Sequence, residues 1–195
     1  MKISGIVLAG GLGRRMGGVD KGLQLLHGKP MIEHVLERLR PQVDEIVINA
    51  NQNLDRYQSF GHRVVSDAIG GFAGPLAGLH AGLQAITSPL AVTVPCDSPF
   101  LPADLVARLH DRLEANDLAV AKTGDQAHPV FALVRQSVAG NLQTFLASGG
   151  RKIDAWYAAL KVVEVTFDDE ADAFRNINTL EELKGSEQFS GYKTK

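Results

Sequence analysis

Residues 8–21 read LAGGLGRRMGGVDK, and this glycine-rich stretch directly follows a short apolar run from Ile3 to Leu8. Such a run, ended by glycines, predicts a buried strand. In an open α/β sheet the loop after a strand lies at the edge where ligands bind. Glycines let backbone N–H groups turn toward an anion, and Arg15 and Lys21 add positive charge to this loop. The stretch therefore predicts a phosphate site that suits a triphosphate.

Two better-known phosphate motifs do not fit this loop. A P-loop requires a Gly-Lys-Ser/Thr sequence, which is missing here. The dinucleotide fingerprint requires a third glycine, and this chain has Met16 in that place. A structural loop with no ligand is the plain alternative, but six glycines between Gly10 and Gly22, together with three cations, favour a binding role.

The rest of the chain predicts an α/β protein. Over the first 120 residues strands and helices alternate, which indicates a mostly parallel central sheet with helices on both faces. The predicted strands cover 3–8, 45–50, 63–66, 90–94, 118–122, 130–134 and 162–167. The predicted helices start at Pro30 and stop at Pro41, then cover 54–60, 75–87, 102–116, 138–148, 153–160 and 180–184. We expect one domain over residues 1–185 and a flexible tail over 186–195.

Three polar residues follow predicted strands and join the glycine-rich loop at the same edge of the sheet. Asn49 offers donors and acceptors that suit a base or a sugar, and Asp67 ends the next strand. Both could equally be turn residues. Asp97 lies in VPCDSPFLP, where three prolines hold the carboxylate rigidly and the next helix starts too far away for it to act as a cap. Asp97 is therefore predicted to bind Mg²⁺ together with substrate phosphates.

Composition limits the remaining possibilities. The chain has 195 residues, a net charge of −2 and 45% hydrophobic residues, which is typical of a globular protein and argues against bulk nucleic-acid binding. A single cysteine, Cys96, excludes a disulfide framework, fits a reducing cytoplasm and is predicted to be a buried thiol. The apolar run at the start of the sequence is too short for a signal-peptide core, and no apolar run is long enough for a membrane-spanning helix.

Further glycines and polar residues give weaker signals. Gly78 and Gly82 share a helical face and are predicted to allow close packing, whereas residues 70–74 suggest a loop that faces a ligand. The histidines at 27, 34, 62, 80 and 110 show no spacing typical of metal ligands, and we expect them at the surface.

Taken together, these motifs resemble one known family. The segments LAGGLGRRMGGVDKG, NAN, D…GPLAG, VPCDSPFLP, HPV and NINT, in this order over residues 3–184, are similar to molybdenum cofactor guanylyltransferases of the MobA type. The resemblance implies a three-layer, Rossmann-like nucleotidyltransferase fold. It also implies transfer of GMP from GTP to the molybdenum-bearing molybdopterin cofactor, with release of pyrophosphate and dependence on Mg²⁺.

The resemblance also implies roles for individual residues. The nucleotide would be bound in residues 1–100 and the pterin cofactor toward residues 101–185. GTP contacts are expected from Leu8, Ala9, Gly10, Gly11, Lys21, Asn49, Asp67 and Asp97, with Arg15, Lys21 and Asp97 catalytic. The pterin side is expected at His128, Arg151, Asn176 and Asn178, and Asn178 is a candidate second ligand of the metal. Molybdenum-insertion proteins and molybdoenzyme chaperones are candidate partners, whereas no nucleic acid or membrane is expected.

Three other functions stay open at this stage. The first is a cytidylyltransferase or a sugar-1-phosphate nucleotidyltransferase on the same fold, although Gly10 and the Pro-Cys-Asp segment favour GTP. The second is a guanine-nucleotide sensor that binds GTP without releasing pyrophosphate. The third is a dinucleotide-dependent oxidoreductase, which the missing third glycine disfavours. The residues alone, without the resemblance, indicate a Mg²⁺-dependent enzyme that acts on a nucleoside triphosphate.

Overall fold

The fold is a three-layer α/β sandwich, seen in a computed structural model that describes residues 1–9, 20–68, 74–175 and 177. The strands are β1 (Ile3–Leu8), β2 (Leu25–Leu26), β3 (Lys29–Pro30), β4 (Glu45–Asn49), β5 (Arg63–Val65), β6 (Leu90–Pro95), β7 (Leu118–Thr123), β8 (Gln126–Arg135) and β9 (Val162–Thr166). The helices are α1 (Met31–Leu39), α2 (Leu54–Gln58), α3 (Pro75–Ala85), α4 (Leu105–Leu113), α5 (Ala139–Ala147) and α6 (Ile153–Tyr157). Short 3-10 turns cover Lys21–Leu23, Arg40–Gln42, Gln136–Val138 and Asp168–Phe174.

Seven of these strands form the central sheet, in the order β5-β4-β1-β6-β8-β7-β9. β1 pairs in parallel with β4 and β6, and β4 pairs in parallel with β5, so that these four strands end at the same edge. β8 runs antiparallel to both β6 and β7, whereas β9 is parallel to β7. The predicted mostly parallel α/β sheet is confirmed, with β8 as the reversed strand.

Helices cover both faces of the sheet because each strand of its centre is apolar on both sides. One cluster of buried side chains joins α1 and α4 to Phe131, Phe167 and Phe174. The cluster on the opposite face joins α3 to α5 and α6 and includes Trp156. Strands that are buried on both faces read as continuous apolar runs, which explains why the parallel strands were visible in the sequence.

Some predicted boundaries are wrong. α4 starts at Leu105 rather than Pro102 and ends at Leu113 rather than near Asn116, because Asp104 (φ −116°) and Glu114 (φ +39°) leave the helical region. β8 starts at Gln126, before the predicted 130, because a turn at Gly124 (φ +51°) pairs β7 and β8 as a hairpin. The β2–β3 hairpin was not predicted, since each of its strands has only two residues.

Several expectations fall outside the described residues. They concern most of the glycine-rich loop, the 70–73 part of the second glycine cluster, the last helix over 180–184 and the tail over 186–195. The site residues among them are Gly10, Gly11, Arg15, Asn176 and Asn178. Within the described ranges, every helix is too short or too polar to cross a bilayer.

Candidate active site

The end of β1 is held firmly between its two neighbouring strands. The Ala9 amide donates to the Asn49 carbonyl at 2.8 Å, and the Leu8 carbonyl accepts from the Cys96 amide at 3.1 Å. These bonds continue the sheet past the ends of β1, β4 and β6. Because the Ala9 N–H is already used inside the protein, a backbone contact from Ala9 to a ligand would use its carbonyl oxygen.

Beside this point, two asparagines fix one carboxylate. Asn49 Nδ2 donates to Asp67 Oδ1 at 2.9 Å, and Asn51 Nδ2 donates to Asp67 Oδ2 at 2.8 Å. Asn51 Oδ1 also accepts from the Asp67 amide at 2.9 Å. Asn49 is only 2% exposed, whereas Asp67 is half-buried. Both oxygens of Asp67 are therefore oriented by neutral donors, and the carboxylate is placed to accept from the N–H groups of a ligand.

A glycine of α3 makes room for this arrangement. A Cβ atom at Gly78 would overlap Asn49 Oδ1 and would lie 2.9 Å from Asn49 Cγ. At Gly82, one turn further, a Cβ atom would lie 2.7 Å from two carbons of Ile6. The predicted packing role of both glycines is confirmed. Gly78 does more than allow packing, because its missing side chain leaves the space that the Asn49 amide occupies.

The second polar group joins two residues that are 76 positions apart in the chain. Lys21 Nζ lies 3.2 Å from Asp97 Oδ2, and the Asp97 side chain is 12% exposed. Lys21 begins the 3-10 turn after the glycine-rich loop, and Asp97 follows β6. The Ile177 amide donates to the Asp97 carbonyl at 2.9 Å, so Ile177 lies next to Asp97.

Two side chains that no sequence motif singled out, Tyr57 and Asn53, hold the residue before Lys21 in place. Tyr57 of α2 donates a hydrogen bond to Asp20, the residue before Lys21, and Asn53 donates to the same carboxylate. The Cys96 thiol is buried close to this group, and burial raises its pKa well above the ordinary value. The predicted buried thiol is confirmed. Tyr57 was missed because a lone tyrosine in a short helix has no sequence signal that separates it from other core residues.

Of the residues predicted on the pterin side, the structure describes two: His128, near the start of β8, and Arg151, which follows α5. The His128 ring stacks on Phe174 with centroids 4.7 Å apart, and its Nε2 lies 2.7 Å from Thr123 Oγ1. Burial lowers the pKa of His128. Arg151 donates to the carbonyls of Leu146 and Gly150, at the end of α5. Among the described residues, no hydrogen bond or ion pair joins His128 or Arg151 to the Lys21–Asp97 pair.

The surface prediction for the histidines is wrong for His80. This residue of α3 is 3% exposed, and neither ring nitrogen has a hydrogen-bond partner in the part of the chain that the structure describes. Desolvation lowers its pKa, so the ring is neutral. α3 is apolar on nearly every side, and this position is therefore covered even though the residue is polar. A single histidine in an apolar helix gives no periodic signal from which its burial could be predicted.

The described residues offer a metal ion few protein ligands. No group of three or more histidine, cysteine, aspartate and glutamate side chains lies close enough together within them to hold a metal on its own. Mg²⁺, however, is commonly held by one or two carboxylates together with substrate phosphates and water. The Asp97 carboxylate, mostly buried and next to a lysine, fits that mode of binding, in which phosphates supply the other ligands.

Comparisons with known proteins agree with this geometry. The MobA-like NTP transferase domain family matches residues 5–163. A molybdenum cofactor guanylyltransferase from Cupriavidus necator is 54% identical over 192 residues, which cover 95% of this chain and 96% of the relative. The corresponding enzyme from Shewanella putrefaciens is 50% identical and covers 93% of this chain. The solved structure of molybdopterin-guanine dinucleotide biosynthesis protein A from Archaeoglobus fulgidus aligns with a TM-score of 0.79, at 30% identity over 94% of this chain and 96% of that one.

A mostly parallel sheet with a lysine–aspartate pair, whose lysine ends a glycine-rich stretch of sequence, defines the protein, together with these relatives, as a nucleotidyltransferase. Within that class, the chain belongs to the MobA-like NTP transferase domain family. The resemblance seen in the sequence is confirmed.

Proposed function

We propose that this protein transfers GMP from GTP to the molybdenum-bearing molybdopterin cofactor and forms molybdopterin guanine dinucleotide, with Mg²⁺ as the metal. The observation that carries the proposal is the location of two polar pairs, Asn49–Asp67 and Lys21–Asp97, at the edge of the sheet where its parallel strands end. The identity of 54% with a molybdenum cofactor guanylyltransferase supports the choice of substrates.

The Asn49–Asp67 pair is suited to the nucleoside part of GTP. Guanine carries two kinds of N–H donor on one edge, and a carboxylate is the natural acceptor for adjacent donors. Asp67 is already oriented by Asn49 and Asn51, so little ordering is required when a ligand binds. Leu8, Ala9, Gly10 and Gly11 would contribute backbone groups beside it.

The Lys21–Asp97 pair is suited to the phosphates. The two charges neutralise each other in the structure, at 3.2 Å. A triphosphate with its cation offers the same two residues new partners of opposite sign, so Lys21 would bind phosphate oxygens while Asp97 would bind the metal. When bound, Mg²⁺ would supply charge neutralisation and polarisation at the α-phosphate. Asn178 is a candidate for a second ligand.

The reaction needs little from the protein besides position and charge. A terminal phosphate oxygen of the pterin cofactor forms a bond to the α-phosphorus of GTP, and the bond from that phosphorus to the bridging oxygen breaks as pyrophosphate leaves. The attacking phosphate is already ionised near pH 7, since its second pKa is about 6. No strong general base is therefore required. Arg15 and Lys21 stabilise the leaving pyrophosphate, and the site holds the two anions together.

We place the nucleotide in residues 1–100 of a single domain and the pterin cofactor toward residues 101–185. His128, Arg151, Asn176 and Asn178 would form the cofactor side. The location of His128 at the start of β8, on the same sheet edge as Asp97, supports this division. GTP as substrate and a single buried cysteine support a cytoplasmic setting.

The test is an assay with four nucleotides. The full chain is mixed with Mg²⁺, the molybdenum-loaded pterin cofactor and GTP, CTP, ATP or UTP, and both pyrophosphate and the dinucleotide are followed. Dinucleotide formed with GTP alone is the expected result. Product with CTP would keep the fold and the mechanism but overturn the assignment of guanine. Binding of GTP without any product would instead favour a nucleotide sensor.

The metal assignment has its own measurement. Mn²⁺, which takes the same ligands, can be followed by electron paramagnetic resonance in the presence of GTP. We expect the wild type to bind Mn²⁺ and Asp97→Asn to lose that binding. Equal binding by both proteins would remove Asp97 from the metal site.

A further inference from the structure

Asp20, the residue before Lys21, is held by two side chains at the start of α2 and within it. Tyr57 Oη donates to Asp20 Oδ1 at 2.5 Å, and Asn53 Nδ2 donates to Asp20 Oδ2 at 2.9 Å. We call these three residues the Asp20 clamp. Both donors are neutral, and both belong to α2 or to the residue before it. The clamp therefore ties Asp20, near the end of the glycine-rich stretch, to α2.

Tyr57 is built into the core at this point. Its side chain is fully buried, and burial, followed by the neighbouring Cys96 and Asp20, raises its pKa, so its hydroxyl keeps its proton. A Cβ atom at Gly22 would lie 2.7 Å from Tyr57 Oη and 3.1 Å from Cys96 Sγ. The tyrosine hydroxyl thus lies against the turn that carries Lys21 and close to the residue that precedes Asp97.

The turn that follows Asp20 is short and closed by its own hydrogen bonds. The Asp20 carbonyl accepts from the Leu23 amide and from Gln24 Nε2, each at 3.3 Å. The Lys21 carbonyl accepts from the Gln24 amide at 3.1 Å. A fixed Asp20 therefore fixes the backbone of Lys21, and with it the point from which the flexible lysine side chain reaches Asp97.

We propose that Tyr57 is a positioning residue for the phosphate site. Through its hydrogen bond to Asp20, and with the help of Asn53, it sets the location of Lys21 relative to Asp97 and to the triphosphate of the substrate. Tyr57 touches no reacting atom in this role. The proposal rests on the proposed function, because it takes Lys21 as the residue that binds phosphate.

The test is a double-mutant cycle between Tyr57→Phe and Lys21→Ala, with the binding of Mg·GTP by the full chain measured calorimetrically. Phenylalanine keeps the ring in the core and removes one hydrogen bond to a carboxylate. We expect Tyr57→Phe to weaken binding by about 10-fold, and to lower kcat/KM for GTP by a similar factor, because Lys21, no longer held in position, loses much of its charged hydrogen bond to phosphate. In the Lys21→Ala background the same substitution should have no further effect, since there is no lysine left to position.

A second variant acts on the other oxygen of Asp20. Asn53 has a left-handed backbone (φ +51°), and its side chain makes no cap bond to α2, so Asn53→Gly removes the side chain without backbone strain. We expect a smaller loss of about 3-fold, since Tyr57 still holds the first oxygen of Asp20. The matched control is Tyr157→Phe, which removes a hydroxyl that donates to the Pro129 carbonyl at 2.7 Å from the opposite face of the sheet. Its binding of Mg·GTP should match the wild type.

The outcomes separate this proposal from the proposed function. Unchanged binding by Tyr57→Phe, or an equal loss in the Lys21→Ala background, would show that Tyr57 serves only the core and would overturn the positioning role. A wild type that binds Mg·GTP but makes no dinucleotide would overturn the proposed function, while the binding cycle still decides the role of Tyr57. A wild type that binds no nucleoside triphosphate would overturn both.

Discussion

The two ends of the same sheet edge hold their polar residues in different ways. Where β1, β4, β5 and β6 end, polar side chains hold one another, as in the pairs Asn49–Asp67 and Lys21–Asp97. Where β8 starts and α5 ends, His128 stacks on Phe174 and contacts Thr123 Oγ1, and Arg151 donates to the nearby carbonyls of Leu146 and Gly150. The first region keeps carboxylates oriented in advance, which suits recognition of a defined nucleotide. The second region is held by aromatic packing and by contacts between residues close together in the chain.

The largest expected effect comes from the carboxylate of the first region. Asp97→Ala should remove turnover, with a loss of at least ~10³-fold, because charge stabilisation by a metal is worth several kcal/mol. Steady-state release of pyrophosphate from GTP measures it. Asp111→Ala, an exposed carboxylate on α4, is the control and should keep the wild-type rate. Substantial activity in Asp97→Ala would contradict the metal role.

The lysine of the same pair should matter less. Lys21→Ala should lower kcat/KM for GTP by at least ~10-fold, since one charged hydrogen bond to phosphate is worth ~1.5–3 kcal/mol. The control is Lys29→Ala, which breaks a surface ion pair with Glu37 and should leave the kinetics unchanged. Unchanged kinetics in Lys21→Ala would remove Lys21 from the site and leave its pairing with Asp97 as a structural contact.

Two glycines of α3 make it possible to separate the effect of Asn49 orientation on GTP binding from the effect of packing on stability. Gly78→Ala and Gly82→Ala each place a methyl group against side chains of the sheet, and each should lower the free energy of unfolding by ~1–3 kcal/mol. Only Gly78→Ala displaces the Asn49 amide, so only this variant should also raise the KM for GTP. Thermal unfolding and initial rates measure the two effects. Equal changes in KM for both variants would show that Asn49 needs no such room.

The smallest expected effect concerns the pH dependence of stability rather than catalysis, and it comes from the buried His80 of α3. Burial lowers the pKa of His80 in the folded protein below its ordinary value of 6.5. The unfolded chain then takes up a proton first as the pH falls. Stability is therefore full above pH ~6.5 and falls below it, by at most ~1.4 kcal/mol per pH unit for one such group.

Denaturant unfolding of the wild type and of His80→Leu, between pH 5 and pH 8, isolates this contribution. His62 and His128 have pKa values lowered by burial as well, so they also contribute to the slope of unfolding free energy against pH in the wild type. The difference between the two slopes belongs to His80. Identical slopes for wild type and His80→Leu would mean that His80 binds its proton equally well in the folded and the unfolded protein, which would contradict the lowered pKa.

The order of strands and helices could be predicted from the sequence, because it depends on local apolar runs and on glycines and prolines between them. The predicted strand at Ile3–Leu8 agrees with β1 at both ends, and the helix after Pro30 starts one residue later. The ends of α4 could not be predicted in this way. They depend on backbone angles at Asp104 and Glu114, and Arg135 donates to the Glu114 carbonyl from a strand that lies 21 residues further on.

The sequence by itself determined the class of fold, the edge of the sheet at which polar residues collect, and the family resemblance, since all three rest on short motifs and their order. Only the tertiary structure decided which of those residues meet. Lys21 reaches Asp97, Asn49 and Asn51 orient Asp67, Tyr57 holds Asp20, and His80 lies buried without a partner in the described residues. Contacts of this kind join residues far apart in the chain. They depend on how strands pair and helices pack, which no local pattern encodes.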